Sequence, residues 1–137
     1  MVAKQNTDQC ASPLGQKLWE EYARRGAQDE QLGRARALYR RRCERLLAAL
    51  GRTMPETVSW TRPEGGFFSW LTLPDGTDAV AFARRAAAAG VAVVPGAPFF
   101  PDGRGTANLR LSYSKVEDEL IDDGVERLAG LVREGPS

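Results

Sequence analysis

The spacing of hydrophobic positions predicts helices that alternate with short strands along this chain. Ser12 and Pro13 are typical of a helix start, as N-cap and first-turn residue, and this first helix should run to about Arg25. After a break at Gly26, apolar residues recur every three or four positions and predict a second, longer helix that ends at Gly51. Its predicted apolar face comprises Leu32, Ala35, Tyr39, Cys43, Leu46 and Leu50.

Two strands and a third helix are predicted next. Residues 57–62 and 68–73 have the composition of strands, and they are joined through Pro63-Glu64-Gly65-Gly66, which predicts a hairpin. Thr77 or Asp78 can then cap a third helix, which is rich in alanine.

The last part of the chain is predicted to hold two further strands and a helix. Residues 91–94 form a short apolar strand, and residues 97–105 form a loop with two aromatics of the kind that is usually buried. A strand over residues 108–112 follows, and Ser114-Lys115-Val116-Glu117 predicts a capping box for the last helix. The apolar face of that helix is predicted to comprise Leu120, Ile121, Val125, Leu128 and Val132.

This order of elements predicts the fold class. Helix, helix, strand, strand, helix, strand, strand and helix indicate an α/β protein of the two-layer α+β type, with a small, largely antiparallel sheet and helices on one face. A chain of 137 residues can form one such domain and bury roughly two thirds of its unfolded surface. No apolar run approaches the roughly 18 residues of a membrane span, and a signal-peptide pattern is missing, so we expect a cytoplasmic protein.

Charge and residue usage exclude several classes of site. Nineteen basic and 18 acidic residues give a net charge of +1, so no overall field attracts nucleic acid or anionic lipid. The arginines of the second helix have acidic neighbours such as Glu44 and no interleaved aromatics, which favours a solvated helix face over a nucleic-acid stripe. The chain has no histidine, and Cys10 and Cys43 are isolated, which excludes Cys/His metal sites and His-dependent nucleophiles. We expect both cysteines to be reduced and structural.

One arginine stands between two leucines on a predicted strand. If Leu109 and Leu111 face the core, Arg110 faces the other side of the sheet, because neighbouring side chains alternate along a strand. The planar fork of arginine binds a carboxylate through two parallel, charge-assisted hydrogen bonds. Arg110 is therefore a candidate carboxylate anchor, although its spacing fits an ordinary surface-strand arginine equally well.

Three segments in a fixed order carry a family resemblance. They are Pro63-Glu64-Gly65-Gly66-Phe67-Phe68-Ser69-Trp70-Leu71, Gly90-Val91-Ala92-Val93-Val94-Pro95-Gly96 and Asn108-Leu109-Arg110-Leu111-Ser112-Tyr113-Ser114. Together they resemble the C-terminal small domain of class I/II aminotransferases, which are pyridoxal-phosphate enzymes of fold type I. The resemblance covers nearly the whole chain and begins at Val2-Ala3-Lys4-Gln5. It implies an interdomain helix region over residues 1–26 and a small C-terminal domain over residues 27–137, with the large cofactor domain outside this sequence.

The resemblance also implies roles for particular residues. In the family, the arginine that matches Arg110 binds the α-carboxylate of the substrate, and Asn108 would help to shape the site. No catalytic and no metal-binding residue is implied for this chain. The residues implied to shape the substrate pocket are Gly65, Gly66, Phe67, Pro95 and Gly96.

A lysine near the end of the third segment needs a separate interpretation. Ser112-Tyr113-Ser114-Lys115 is similar to the tetrapeptide in which many aminotransferases present the lysine that binds pyridoxal phosphate. Here it follows the Arg110 strand directly, so we interpret Lys115 as a helix-start residue, and Lys4 and Lys17 lack the family's surroundings. In the family the cofactor lysine belongs to the large domain, so we expect this chain alone to be inactive and to bind no cofactor.

The function implied by the resemblance is transfer of an amino group between an amino acid and a 2-oxo acid. It implies those two substrates, pyridoxal 5′-phosphate in the complete enzyme, the large domain as partner and a homodimer, with neither nucleic acid nor membrane as a partner. Two alternatives stay open, namely the effector domain of an aminotransferase-like transcription regulator and a stand-alone small ligand-binding module. An upstream DNA-binding domain would identify the first, and saturable amino-acid or dicarboxylic-acid binding the second.

Overall fold

The computed structural model describes residues 12–135, and the helices and strands follow the predicted order. The predicted start of the interdomain helix at residues 2–5 and Cys10 lie outside the described residues. The chain divides into two compact units, and the boundary between them lies between Leu38 and Tyr39. The elements are α1 (Pro13–Arg24), α2 (Ala27–Thr53), β1 (Ser59–Trp60), β2 (Phe68–Thr72), α3 (Ala79–Ala88), β3 (Val94–Pro95), β4 (Asn108–Ser112) and α4 (Asp118–Glu134).

One sheet with the order β1-β2-β4-β3 contains the four strands, and every neighbouring pair is antiparallel. The predicted hairpin of β1 and β2 is confirmed, although β1 is shorter than expected. Because β4 lies between β2 and β3, its side chains are surrounded by neighbouring strands on both sides. The predicted fold class, a small antiparallel sheet in a mixed α and β domain, is confirmed.

The hydrophobic core lies on one face of this sheet. Leu71 of β2 and Leu109 of β4 are fully buried, and burial of a leucine side chain contributes roughly 1.5–3 kcal/mol. The helical residues that pack in the same core include Leu46 and Leu50 of α2, Phe82 and Ala86 of α3, and Ile121, Val125 and Leu128 of α4. Within the second unit, the sheet therefore has a helix-covered face and an opposite face that is free of this core.

Two predicted helix starts are confirmed by their capping bonds. The hydroxyl of Ser12 accepts a hydrogen bond from the Gly15 amide at 3.3 Å, as an N-cap of α1 does. At α3 the sequence left two candidates, and the structure selects Asp78, whose carboxylate accepts from the amides of Val80 and Ala81 at 2.8 and 3.2 Å. The caps therefore fix both starts locally.

Two predicted element boundaries are wrong. The second helix does not end at Gly51 but continues to Thr53, whose hydroxyl donates to the Ala49 carbonyl at 2.8 Å. The strand expected over residues 91–94 reduces to β3, because the amide of Val91 donates to the carbonyl of Ala86 and closes the end of α3 instead of joining the sheet.

The predicted capping box of the last helix is also wrong. The helix α4 begins at Asp118, and Glu117 occupies its N-cap without a side-chain hydrogen bond. The hydroxyl of Ser114 lies 3.1 Å from the hydroxyl of Ser112, so it is engaged before the helix starts. On the predicted apolar face of α4, Leu120 is 53% exposed because that position turns towards solvent.

Arginines of α2 form ion pairs with acidic residues of α4. Arg41 and Arg42 donate to the carboxylate of Asp118 at 2.5 and 2.9 Å, and Arg45 donates to Asp122 at 2.6 Å. Part of the basic run therefore consists of interhelical contacts rather than of free cations. Within residues 12–135, none of the helices is long and apolar enough to cross a membrane.

Candidate functional site

Arg110 occupies the central strand on the sheet face opposite the core. Trp70 of β2 and Val94 of β3 are its cross-strand partners on either side. Leu109 and Leu111 are buried, so the alternation along β4 turns Arg110 to the opposite face, as the sequence predicted. The arginine thus projects from a rigid element with neighbours on both edges.

Two phenylalanine rings contact the guanidinium of Arg110, and we call Phe68 and Phe99 the aromatic pair. The Cζ atom of Arg110 lies 4.2 Å from the ring centroid of Phe68 and 4.6 Å from that of Phe99. Both distances are within the range of cation–π attraction. Trp70 supports the pair, since its ring packs edge to face on Phe99 with centroids 5.5 Å apart.

The polar environment of Arg110 differs from that of the other described arginines. Its Nε atom is buried and has no hydrogen-bond partner within residues 12–135, and no carboxylate of that part of the chain pairs with it. The other described arginines without an acidic or carbonyl partner, Arg36, Arg40, Arg62 and Arg84, are all exposed. A partly buried guanidinium with an unsatisfied donor is costly, so an anionic acceptor would stabilise it.

Asn108 lies on the same sheet face, two residues before Arg110. Its side-chain amide donates to the hydroxyl of Thr72 at 2.9 Å, and its carbonyl accepts from the amide of Gly96 at 2.7 Å. A Cβ atom at position 96 would stand 2.6 Å from the Cβ of Asn108, so only glycine permits this approach. The structure therefore brings the Pro95-Gly96 segment against the strand of Arg110.

The Gly65-Gly66-Phe67 segment is bonded to the end of β4 through Tyr113. The hydroxyl of Tyr113 donates to the carbonyl of Gly66 at 3.0 Å, and its amide donates to the carbonyl of Phe67 at 3.1 Å. Gly66 has a φ of +82°, a conformation that favours glycine. Burial, with a smaller contribution from Cys43, raises the pKa of Tyr113 to about 12.

The family resemblance sets Phe68 and Phe99 in segments near the substrate pocket, but nothing in the sequence indicated that both rings contact Arg110. The expectation that both loop aromatics would be buried is wrong for Phe99, which is 45% exposed on the sheet face of Arg110. Phe68 and Trp70 could have been found, because they alternate with the buried residues Ser69 and Leu71 and so share a face with Arg110. Phe99 follows no such period.

The described lysines do not fit a site for pyridoxal phosphate. Lys17 is exposed on α1 and pairs with Glu20 at 2.8 Å, and Lys115 is exposed in the segment before α4 rather than at the helix start that we predicted. Lys4 lies outside the described residues. Within the described part of the chain, no group of acidic, cysteine or histidine side chains is arranged to hold a metal ion.

Comparison with known proteins identifies the family. The sequence model of the family described as aminotransferase class I and II matches residues 2–128. The 2-aminoadipate transaminase of Thermus thermophilus is 44% identical over 126 residues, which are 92% of this chain and 32% of that protein. The HTH-type transcriptional regulator YisV of Bacillus subtilis, itself uncharacterized, is 28% identical over 95% of this chain and 26% of its own length.

A solved structure agrees with these sequence matches. The crystal structure of the α-aminoadipate aminotransferase LysN from Thermus thermophilus, complexed with N-(5′-phosphopyridoxyl)-L-leucine, has a TM-score of 0.86 and 42% identity. That match covers 97% of this chain and 34% of the solved chain, so the present chain spans about a third of the length of each of these two aminotransferases. Because the family match extends over most of its length, the chain belongs to the class I and II aminotransferases.

Proposed function

We propose that this chain supplies the substrate-carboxylate site of a pyridoxal-phosphate-dependent aminotransferase, with Arg110 as the binding residue. The reaction would transfer an amino group between an amino acid and a 2-oxo acid. The observation that carries the proposal is the partly buried guanidinium of Arg110, which has no carboxylate partner within residues 12–135. A substrate carboxylate would neutralise its charge and accept from its donors.

The contribution of Arg110 would be binding and orientation rather than bond making. A carboxylate held by two parallel hydrogen bonds is fixed in direction as well as in position, because the guanidinium is planar. Fixing one end of a small substrate restricts where its reacting Cα atom can lie, and such positioning contributes strongly to rate. Asn108, held by its bond to Thr72, would shape the wall beside the carboxylate.

The cofactor belongs to the complete protein in this proposal. Pyridoxal phosphate is the cofactor that the family implies, and it supplies the electron sink that makes amino transfer possible. The described lysines do not fit it, so we propose that other parts of the protein hold it and that this chain alone neither binds it nor transfers amino groups. The large domain and a second copy of the enzyme would complete the site.

The segments around Gly66 and Gly96 would shape the pocket in this proposal. Both are bonded to β4 or its end, through Tyr113 and Asn108 respectively, so both lie beside the strand of Arg110. Gly65, Phe67 and Pro95 belong to the same two segments. Their part would be to set the walls around the carboxylate, without a role in chemistry.

Substitution of Arg110 in the complete aminotransferase tests the proposal. We expect Arg110→Ala to raise the Michaelis constant for the amino acid about 10- to 100-fold, the range for loss of hydrogen bonds to a charged group. 2-Aminoadipate, named for the relative at 44% identity, is the first substrate to assay. Arg84→Ala is the matched control, because Arg84 is exposed on α3. An Arg110→Ala enzyme with wild-type Michaelis constants would refute the assignment.

A regulator remains the second candidate, because YisV matches 95% of this chain. In such a protein Arg110 would bind the carboxylate of an effector without turnover. Incubation of the complete protein with an amino acid, a 2-oxo acid and pyridoxal phosphate separates the two. Formation of the new amino acid supports the enzyme, whereas effector-dependent binding to DNA without amino transfer supports the regulator.

A further inference from the structure

We propose that Phe68 and Phe99, the aromatic pair, are positioning residues. They hold the guanidinium of Arg110 in one orientation and leave its hydrogen-bond donors available to a carboxylate. This inference rests on the proposed carboxylate-binding function of Arg110. In this inference the two phenylalanines affect substrate binding indirectly, through Arg110, and do not need to contact the substrate.

The argument begins from how an arginine can be held on a sheet face. A protein carboxylate would fix the guanidinium, but it would occupy the hydrogen-bonding fork that a substrate needs. Aromatic rings attract the cation through their electron-rich faces and accept no conventional hydrogen bond from its edge. Contacts of 4.2 and 4.6 Å to two rings therefore restrain Arg110 without using its fork.

The contrast with Arg42 shows what the alternative looks like in this chain. Arg42 is partly buried as well, but its Nε donates to Asp118 at 2.9 Å and its Nη1 donates to the Ser114 carbonyl at 2.7 Å. Its donors are used within the fold, as expected of a structural arginine. Arg110 is restrained by rings instead, and its Nε remains without an acceptor in the described residues.

The loop over residues 97–105 determines the position of the Phe99 ring. A short 3-10 turn, Ala97–Phe99, follows directly after the close contact of Gly96 with Asn108, and this fixes where Phe99 leaves the sheet edge. Phe100 packs on Trp70 with ring centroids 5.8 Å apart. A Cβ atom at Gly105, where φ is +82°, would clash with the ring of Phe100, so glycine provides the space for that ring.

Preorganisation explains why such restraint would matter for binding. A free arginine side chain loses rotamer freedom when it binds a ligand, and this loss weakens the affinity. If the aromatic pair restricts Arg110 beforehand, that loss occurs on folding. Removing one ring should then weaken carboxylate binding by roughly five- to tenfold, which is in the range of a partly desolvated cation–π contact.

Kinetics of ring variants in the complete aminotransferase give the first test. We expect Phe68→Leu and Phe99→Leu to raise the Michaelis constant for the amino acid roughly five- to tenfold, with kcat within about threefold of wild type. Phe99→Tyr keeps an aromatic ring, so its Michaelis constant for the amino acid should equal that of the wild type. Val80→Ala, at an exposed apolar position on α3, is the control. Thermal unfolding of each variant verifies that the fold is retained.

Chemical modification gives a second readout that needs no substrate. Butane-2,3-dione reacts with arginine side chains, and the modified residues are located by peptide mass spectrometry. If the rings restrain and cover Arg110, both leucine variants should increase its modification rate at least threefold, whereas Phe99→Tyr should not. The exposed Arg84 is the internal reference, and its rate should be the same in all variants.

The outcomes separate this inference from the proposed function. If Arg110→Ala raises the Michaelis constant but both leucine variants behave as wild type in kinetics and modification, the aromatic pair has no positioning role and the carboxylate site stands. If Arg110→Ala leaves the Michaelis constant unchanged, the carboxylate site itself is wrong and this inference ends with it. Leucine variants that change both readouts, with rescue by tyrosine, support the inference.

Discussion

The amide of Gly96 donates to the carbonyl of Asn108 over 2.7 Å, and the two residues are so close that a Cβ atom on Gly96 would clash with the Asn108 Cβ at 2.6 Å. We expect Gly96→Ala to displace β3 from β4 and to lower the free energy of unfolding by about 1–3 kcal/mol. Since Phe99 follows closely in the chain, the Michaelis constant of the complete enzyme should rise as well. Urea denaturation and steady-state kinetics measure the two effects.

Gly51 provides the matched control for that substitution. It lies inside α2, and a Cβ atom there would meet nothing within 4 Å. Alanine is the better helix former, so Gly51→Ala should raise the free energy of unfolding by about 0.5–1 kcal/mol. Equal effects of the two glycine substitutions would contradict the claim that Gly96 is required by its contact.

The ion pairs between α2 and α4 should make stability depend on acidic pH. Hydrogen bonds from Arg41 and Arg42 lower the pKa of Asp118 below its ordinary value of 3.8. A carboxyl whose pKa is lowered on folding stabilises the fold above the unfolded pKa, and this stabilisation is lost as the pH falls through the folded pKa. Asp118→Asn should therefore be less stable than wild type at pH 7, and the difference should disappear in acid.

Denaturant unfolding of the wild type and of Asp118→Asn, from pH 7 to acidic pH, tests this expectation. Asp75→Asn, in the exposed turn before α3, is the control and should follow the wild-type curve. Added salt should narrow the difference at neutral pH, because it screens partly exposed pairs. A constant difference between Asp118→Asn and wild type from neutral pH to acid would show that the charge of Asp118 is not the cause.

Tyr113 should affect stability at the opposite end of the pH scale. Its pKa is about 12 in the fold against 10 in the unfolded chain, chiefly because it is buried. The stabilisation is complete below about pH 10 and is lost as the pH rises towards 12. Tyr113→Phe should lower the free energy of unfolding by about 0.5–1.5 kcal/mol at pH 8, because the Gly66 carbonyl loses its donor. The variant should not show the decrease in stability that the wild type shows between about pH 10 and 12. Tyr22→Phe, at an exposed position on α1, is the control variant.

Hydrophobic periodicity predicted α2, α4 and β4, because each buries a regular set of residues in the core. The helix α1 buries none of its residues, and its start was predicted from Ser12 and Pro13 instead. The bounds of β1 and β3 were harder to predict, since a strand of two residues is too short to show an alternation of polar and apolar positions. The apolar run 91–94 shows the reason. Val91 and Val93 do pack against the core, as their composition suggests, but the backbone there bonds to the end of α3 rather than to a strand.

The site could be predicted only where regular structure sets it. Alternation along β4 was enough to place Arg110 on the face opposite Leu109 and Leu111. The position of Phe99 depends on an irregular loop and on a contact between Gly96 and Asn108 that are 12 residues apart, and no local pattern reports such a contact. The contact of Phe99 with Arg110 is therefore seen only in the three-dimensional structure.

The start of α4 offers a test of the corrected capping. If Ser114 were the N-cap, Ser114→Ala would cost about 1 kcal/mol, but its hydroxyl contacts Ser112 and the helix begins at Asp118, so we expect a much smaller loss. Glu117 holds the N-cap without a side-chain bond, and serine is a preferred residue there. Glu117→Ser should therefore stabilise the chain by about 0.5–1 kcal/mol in urea denaturation. A destabilised Glu117→Ser variant together with a strongly destabilised Ser114→Ala variant would favour the box that the sequence suggested.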